Sequence, residues 1–194
     1  MANDDAIQFL IQFRRHPRTV GAILPSSREL AESMIAPIDF DRAHTIVEFG
    51  PGAGVVTAAI ARNLQHHSRY VGIEINDAFH KTLTARFPHL AFFHESAEHA
   101  EDILAEQGID AADAIVSGLP WATLRQKHRD AILHAIHRTL RPGGVFISFA
   151  YLQGFLLPSA WTFRNRLKAE FADVAMTPVV WRNVPPAFTY VCRK

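Results

Sequence analysis

The segment that decides the fold of this 194-residue chain is Glu48-Phe49-Gly50-Pro51-Gly52-Ala53-Gly54. A β-branched strand pattern at 45–49 runs directly into it, and a helical pattern at 55–64 follows at once. Glycines at such a junction let the backbone turn sharply and leave room for a ligand near the first amide groups of the helix. The context predicts a ligand-binding loop, and a tight turn without a ligand is the plain alternative.

The spacing of the glycines narrows the class of ligand. A dinucleotide-binding loop would need a third glycine at position 55, where valine would block close packing of the helix. Glu74 stands at the predicted end of the second strand, twenty residues after Gly54. A carboxylate there can accept hydrogen bonds from both ribose hydroxyls, although a surface glutamate at a strand end is the simpler interpretation. Together the two features favour a nucleoside ligand.

Outside this loop, strand and helix patterns alternate as in a mostly parallel sheet with helices on both faces. The predicted strands are 45–49, 69–73, 90–94, 112–117 and 143–150, followed by two closely spaced strands near 174–180 and 187–192. Predicted helices cover 55–64, 77–87, 98–107, 124–140 and about 160–171. We expect a single domain with a seven-stranded Rossmann-like α/β core at 41–194, a terminal antiparallel hairpin, and extra N-terminal helices at 1–40.

The composition limits the possible partners and compartments. Lys and Arg total 20 against 19 Asp and Glu, so the net charge of +1 gives no chain-wide attraction to nucleic acid. Cys192 is the only cysteine, which excludes an intrachain disulfide. No apolar run approaches the ~18 residues of a membrane-spanning helix, and Asp4 and Asp5 oppose a signal peptide. His94 and His99 are spaced one residue too far apart for a zinc helix. We expect a cytoplasmic protein without a metal.

The N-terminal segment is locally basic and aromatic. Ile7, Leu10 and Ile11 fall at helical spacing, and Phe9, Phe13, Arg14, Arg15 and Arg18 extend this stripe into a cationic end. Such a helix suits an anionic headgroup layer, whereas a core-facing helix with a solvated basic end is the alternative. Ser26 and Glu29 have the spacing of a capping box, which predicts that another helix begins there.

The glycine loop resembles that of class I methyltransferases, which use S-adenosylmethionine. Four further segments resemble the bacterial phospholipid N-methyltransferase family, which converts phosphatidylethanolamine stepwise to phosphatidylcholine. They are Val20-Gly21-Ala22-Ile23-Leu24-Pro25-Ser26-Ser27, Ser117-Gly118-Leu119-Pro120, Phe149-Ala150-Tyr151 and Arg182-Asn183-Val184-Pro185-Pro186-Ala187. This resemblance implies a phospholipid substrate and a peripheral position on the inner face of the cytoplasmic membrane.

The resemblance also implies a set of cofactor residues for S-adenosylmethionine and its product S-adenosylhomocysteine. These are Glu48, Gly50, Pro51, Gly52, Gly54, Glu74, Ile75, Ser96, Ala97 and Leu119. Ser96 and Ala97 would contact the adenine, but Ser96 is equally suited to cap the following helix.

Aromatic residues near the predicted acceptor site are candidates for stabilising a methylammonium group. Trp121 and Tyr151 are the catalytic candidates, with Tyr190 as a third, and each could instead belong to the core. Arg182 and Asn183 are candidates for binding the substrate phosphate. The alternative is that a rigid turn at Pro185-Pro186 is merely covered by Arg182.

Two other functions are open. The loop at 117–121 is similar to the Asn-Leu-Pro-Tyr loop of nucleic-acid amino-methyltransferases, but Gly118 replaces the asparagine that holds the amine, and an extra C-terminal helical domain is lacking. RNA adenine N6-methylation is therefore the weaker hypothesis. A non-catalytic protein that senses the cofactor or the membrane is the third.

Overall fold

The computed structural model describes residues 26–156 and 158–194, and in this part of the chain seven strands alternate with six α-helices. The strands are β1 (Thr45–Phe49), β2 (Arg69–Ile73), β3 (Ala91–Phe93), β4 (Ala112–Ser117), β5 (Leu140–Tyr151), β6 (Asp173–Met176) and β7 (Ala187–Arg193). The α-helices are α1 (Arg28–Ile35), α2 (Val55–Asn63), α3 (Asp77–Arg86), α4 (Ala100–Glu106), α5 (Gln126–Thr139) and α6 (Pro158–Glu170). Two 3-10 helices cover Ala97–His99 and Leu152–Leu156.

All seven strands form one sheet in the order β3-β2-β1-β4-β5-β7-β6. The first five run parallel, and β7 lies antiparallel between β5 and β6. The predicted Rossmann-like fold with an antiparallel pair at its end is confirmed. The carboxyl ends of the parallel strands share one edge, and the order reverses next to β1, which is where open α/β sheets bind ligands.

The helices cover both faces of the sheet. Every residue of β1 is buried, and its β-branched start, Thr45-Ile46-Val47, is typical of a central parallel strand. Ile46 packs in one core cluster with residues of α1, α2 and α3, whereas Val47 packs in the other with residues of α4, α5 and α6. The strand period of two therefore divides the apolar side chains between the two layers.

Several boundaries differ from the predicted ones. Strand β5 begins at Leu140 rather than at 143, because Leu140 pairs with Ala112 and the register then shifts before Val145. Strand β6 ends at Met176 rather than near 180, since Pro178 cannot donate to a ladder. Beyond Met176, Thr177 N donates to Thr189 O at 2.9 Å, and an isolated bridge joins Val180 to Ala187.

Helix α1 begins one residue later than the predicted capping box. Its N-cap is Ser27, whose hydroxyl accepts a hydrogen bond from Leu30 N at 3.1 Å, so the assignment of Ser26 as the cap was wrong. The predicted membrane helix, with Phe9, Phe13, Arg14, Arg15 and Arg18, lies outside the described residues. None of the helices within the described ranges is long and apolar enough to cross a bilayer.

Candidate functional site

A cavity of about 360 Å³ opens at the carboxyl edge of the sheet, a size typical of small-molecule sites. The loops that follow β1 to β5 form its wall. Of the predicted cofactor residues, all except Gly54 line it: Glu48, Gly50, Pro51, Gly52, Glu74, Ile75, Ser96, Ala97 and Leu119. Side chains brought together from five separate strand ends therefore surround one space.

Two of the loop glycines serve different purposes. Gly52 has a φ of +56°, and a Cβ there would meet nothing closer than Gly50 O at 3.9 Å, so its backbone faces open space in the cavity. Gly54 has a φ of +76°, and a Cβ there would lie 2.9 Å from the side chain of Leu83. Gly54 is the N-cap of α2 and permits that helix to approach α3, and its predicted contact with the cofactor stays a prediction.

Glu74 fastens the end of β2 to the glycine loop. Its carboxylate is buried and accepts hydrogen bonds from Gly52 N at 2.9 Å and from Asn76 N at 2.8 Å. The two amides fix the orientation of the carboxylate against the cavity. A ligand hydroxyl would therefore meet an acceptor whose position is set before binding.

Glu48 is a second buried carboxylate in the cavity wall. Its Oε2 accepts hydrogen bonds from the Tyr70 hydroxyl at 2.6 Å and the Thr57 hydroxyl at 2.8 Å. Burial raises the pKa of Glu48 to about 7, the two hydrogen bonds oppose this rise, and the charge of Glu74 adds to it. The cavity therefore contains a carboxyl group that titrates near neutrality.

Replacing Glu48 by glutamine should change how stability depends on pH. Between pH 4.5 and about 7 the folded protein retains the Glu48 proton that the unfolded chain releases, so the wild-type free energy of unfolding falls as pH rises through this window. The expected fall, relative to Glu48→Gln, is about 3 kcal/mol. Urea unfolding of both proteins at several pH values measures it, and parallel stability curves would contradict the assignment.

In the loop after β3, Ser96 caps the following helix, which is one of the two roles predicted for it. The Ser96 hydroxyl accepts a hydrogen bond from Glu98 N at 3.3 Å and caps the 3-10 helix, and Ser96 N donates to Glu95 Oε1 at 2.7 Å. Ser96 also lines the cavity together with Ala97. The capping role is therefore compatible with a position beside a ligand.

A part-buried contact between a histidine and a glutamate beside this loop was missed by sequence reasoning. His128 Nδ1 on α5 lies 2.5 Å from Glu98 Oε1, and both residues line the cavity. They are thirty residues apart on separate elements, so no local motif connects them. Across the described ranges, no three His, Cys, Asp or Glu side chains are grouped closely enough to hold a metal ion.

Among the aromatic side chains that line the cavity, Phe149 and Tyr151 lie at the end of β5, whereas Phe79 comes from α3. The rings of Phe149 and Tyr151 meet edge to face with centroids 5.3 Å apart. Tyr151 was predicted and Phe149 was not, although the strand period of two places them on one face. Burial raises the pKa of Tyr151, which disfavours its deprotonated form at neutral pH.

Trp121 and Tyr190 belong to the core. The Trp121 ring is buried, stacks on Phe163 with centroids 4.7 Å apart, and donates from Nε1 to the Ser117 hydroxyl at 3.0 Å. Tyr190 is also buried, against Phe163 and Phe188. Neither ring is among the described residues that line the cavity. The contacts of Trp121 therefore show a packing role and do not support its predicted catalytic role.

Arg182 and Asn183 have separate roles beside the cavity. Asn183 is buried, its Oδ1 accepts from Ser27 N at 2.8 Å, and its Nδ2 donates to Pro185 O at 2.7 Å. Its amide therefore joins the C-terminal turn to the start of α1 and is not directed at a substrate. Arg182 is exposed, with its Nη1 3.7 Å from Glu29 Oε1.

The loop after β4 touches the glycine loop at Gly118. A Cβ at Gly118 would lie 2.6 Å from Gly50 O, so this position excludes any side chain unless one of the loops moves. An asparagine, as in the Asn-Leu-Pro-Tyr loop, would not fit here. The packing therefore disfavours the amine-holding geometry that RNA adenine methylation would need.

Comparisons with known proteins show what the chain as a whole is similar to. Residues 46–144 match the family described as "Methyltransferase domain". An ornithine lipid N-methyltransferase of Singulisphaera acidiphila is 29% identical over 192 residues, which cover 97% of this chain and 96% of that protein.

Two solved structures show the same fold. The O-methyltransferase TomG from Streptomyces achromogenes, in complex with SAM, is 18% identical, with a TM-score of 0.66 over 100% of this chain and 90% of that one. An O-methyltransferase from Bacillus cereus, in complex with SAH, is 14% identical, with a TM-score of 0.68 over 97% of this chain and 91% of that one.

Proposed function

Because this chain belongs to the methyltransferase domain family, we propose that it is an S-adenosylmethionine-dependent N-methyltransferase of an amine-bearing membrane lipid. The observation that carries the lipid acceptor is the similarity, over nearly the whole of both chains, to the ornithine lipid N-methyltransferase. The packing at Gly118 supports the same choice, because it removes the side-chain position on which the RNA hypothesis depends.

The cavity fits the cofactor at its nucleoside end. Glu74 would accept hydrogen bonds from the ribose hydroxyls, and Ser96 and Ala97 would contact the adenine. Ile75 and Leu119 line the same cavity and would complete the wall around the cofactor. Gly52 lets the ligand lie on the backbone, since no Cβ stands between them. When bound, S-adenosylmethionine supplies a methyl group on a positively charged sulfur and leaves as S-adenosylhomocysteine.

Residues at the end of β5 receive the acceptor amine. Phe149 and Tyr151 offer aromatic faces, which attract a developing methylammonium by about 0.5–2 kcal/mol each. Alignment of the amine with the methyl group contributes more, since good orientation supplies about 7–11 kcal/mol. The raised pKa of Tyr151 argues against a tyrosinate base, so the phenol acts by position and hydrogen bonding.

Two lipids offer the required amine. The phospholipid N-methyltransferase resemblance favours phosphatidylethanolamine and its methylated intermediates, whereas the relative from Singulisphaera acidiphila is named for ornithine lipid. Both substrates lie in a membrane, so the enzyme works as a peripheral protein on its inner face. The basic N-terminal segment with Arg14, Arg15 and Arg18 supports this position.

Labelled S-adenosylmethionine tests the proposal directly. The protein is incubated separately with phosphatidylethanolamine vesicles, ornithine lipid vesicles and RNA, with Gly52→Val as a control because its branched side chain would fill the ligand space. Label in phosphatidylethanolamine supports the full proposal, and label only in ornithine lipid retains lipid N-methylation with a different headgroup. Label in RNA, or in none of the three, would overturn it.

A further inference from the structure

Three large apolar side chains are strongly exposed at the edge of the sheet where the cavity opens. Leu156 is 87% exposed, Trp181 70% and Val184 63%. Isolated exposed apolar residues are ordinary, but a group of them beside a binding site is typical of an interaction surface. We call Leu156, Trp181 and Val184 the apolar rim. Arg182 lies between the last two in the sequence.

Backbone contacts place the apolar rim beside the cavity. Leu156 ends the 3-10 helix that follows Tyr151, a cavity residue. The segment with Trp181 and Val184 leads into β7, where Ala187 pairs with Tyr151. Leu152 N also donates to Pro186 O at 2.8 Å, so the two segments adjoin at the mouth.

The segment that carries Trp181 is held in place. Asn183 bonds to Ser27 N and Pro185 O, and Val180 forms a bridge with Ala187. The side chains of Trp181 and Val184 are therefore exposed on a turn whose backbone is fixed from both sides. Because its backbone is already ordered, such a turn loses little conformational entropy when its exposed side chains bind to another surface.

Two exposed arginines lie in and beside the turn that carries the apolar rim, each close to a glutamate. Arg182 is 85% exposed, and Arg28 at the start of α1 is 81% exposed. Glu29 faces Arg182 at 3.7 Å and Glu32 faces Arg28 at 3.9 Å, both as loose, partly exposed contacts. Tryptophan and arginine together are typical of interfacial segments, where the ring enters the boundary and the guanidinium stays at the phosphates.

We propose that the apolar rim inserts into the headgroup boundary of an anionic membrane and seats the cavity mouth on the bilayer. This inference rests on the proposed lipid substrate. A cavity of about 360 Å³ that also holds the cofactor has no room for two acyl chains, so the lipid stays in the bilayer and the mouth must reach its headgroup. The apolar rim is the part of the cavity mouth whose exposed apolar side chains can enter the headgroup boundary.

The double variant Trp181→Ser/Val184→Ser tests this surface. On vesicles of phosphatidylethanolamine and phosphatidylglycerol, we expect its binding and its methylation of vesicle lipid to fall about tenfold or more. Its affinity for S-adenosylhomocysteine, and its turnover of a dispersed short-chain aminolipid, should remain within about twofold of wild type, since neither needs a bilayer. Vesicle co-sedimentation, calorimetry and label transfer supply these measurements.

Fluorescence locates the ring itself. Lipids with brominated acyl chains should quench the tryptophan fluorescence of wild type and of Trp161→Phe alike. The tryptophan fluorescence of Trp181→Phe should not be quenched. Trp161 is a matched control, because it is the other exposed tryptophan and its ring faces the Arg164 guanidinium on α6.

The outcomes separate the two proposals. If wild type methylates neither vesicle nor dispersed lipid, the proposed function fails. If wild type methylates both and the double variant binds and methylates vesicles equally well, or Trp181→Phe is still quenched, the apolar rim is not the membrane contact and this inference fails alone.

Discussion

Replacing Glu74 by alanine should lower the affinity for S-adenosylhomocysteine about 100-fold, because two charge-assisted hydrogen bonds to the ribose are lost. The carboxylate also holds Gly52 N and Asn76 N, so the variant releases the glycine loop that the ligand rests on. Calorimetric titration measures the affinity, and thermal unfolding of the same sample verifies that the variant is folded.

Asp77→Ala is a suitable control for Glu74→Ala. Asp77 is three residues further on, at the start of α3, and its exposed carboxylate pairs with Lys81 instead of lining the cavity. Its removal should leave the affinity within about twofold, as expected for a surface ion pair. A folded Glu74→Ala variant that still binds like wild type would disprove the ribose assignment.

Gly118→Asn should destabilise the protein by about 2 kcal/mol or more and abolish measurable cofactor binding, because the new Cβ would overlap the Gly50 carbonyl. The overlap, at 2.6 Å, is with backbone and cannot be relieved by a rotamer change. The glycine loop must therefore move, and with it the wall against which the nucleoside lies. Urea unfolding and calorimetry give the two quantities.

Gly154→Asn provides the matched comparison. Gly154 lies in the 3-10 helix after β5, and a Cβ there would have no neighbour within 4 Å. The same side chain should therefore be tolerated with a stability change within about 0.5 kcal/mol. If Gly118→Asn were equally harmless, the close contact between the two loops would not be required.

The parts of this protein that could be predicted from sequence are those encoded by neighbouring residues. The fully buried β1 begins with the β-branched run Thr45-Ile46-Val47, and the loop that follows it carries three glycines within five residues. Glu74 was identified because its distance from the loop is set by one intervening helix. The order of the strands, and the edge of the sheet at which a ligand binds, then follow from general rules of α/β sheets.

The errors concern side chains whose surroundings come from distant parts of the chain. Trp121 directly follows the acceptor loop, and only the positions of Ser117 and Phe163 show that its ring turns into the core. Asn183 looked like a phosphate ligand, but its partner, Ser27, is 156 residues away. Sequence periodicity carries no information about such pairs, because they depend on packing between elements.

The position of β7 has a consequence for synthesis. This strand follows β6 in the sequence yet lies between β5 and β6 in the sheet, so the edge of β5 stays open until residues 187–193 have been synthesised and have paired. Until then β5 presents unpaired backbone groups beside the cavity, and such edges recruit other chains. A chain that stops before residue 187 would therefore keep this edge of β5 exposed and be more prone to aggregate.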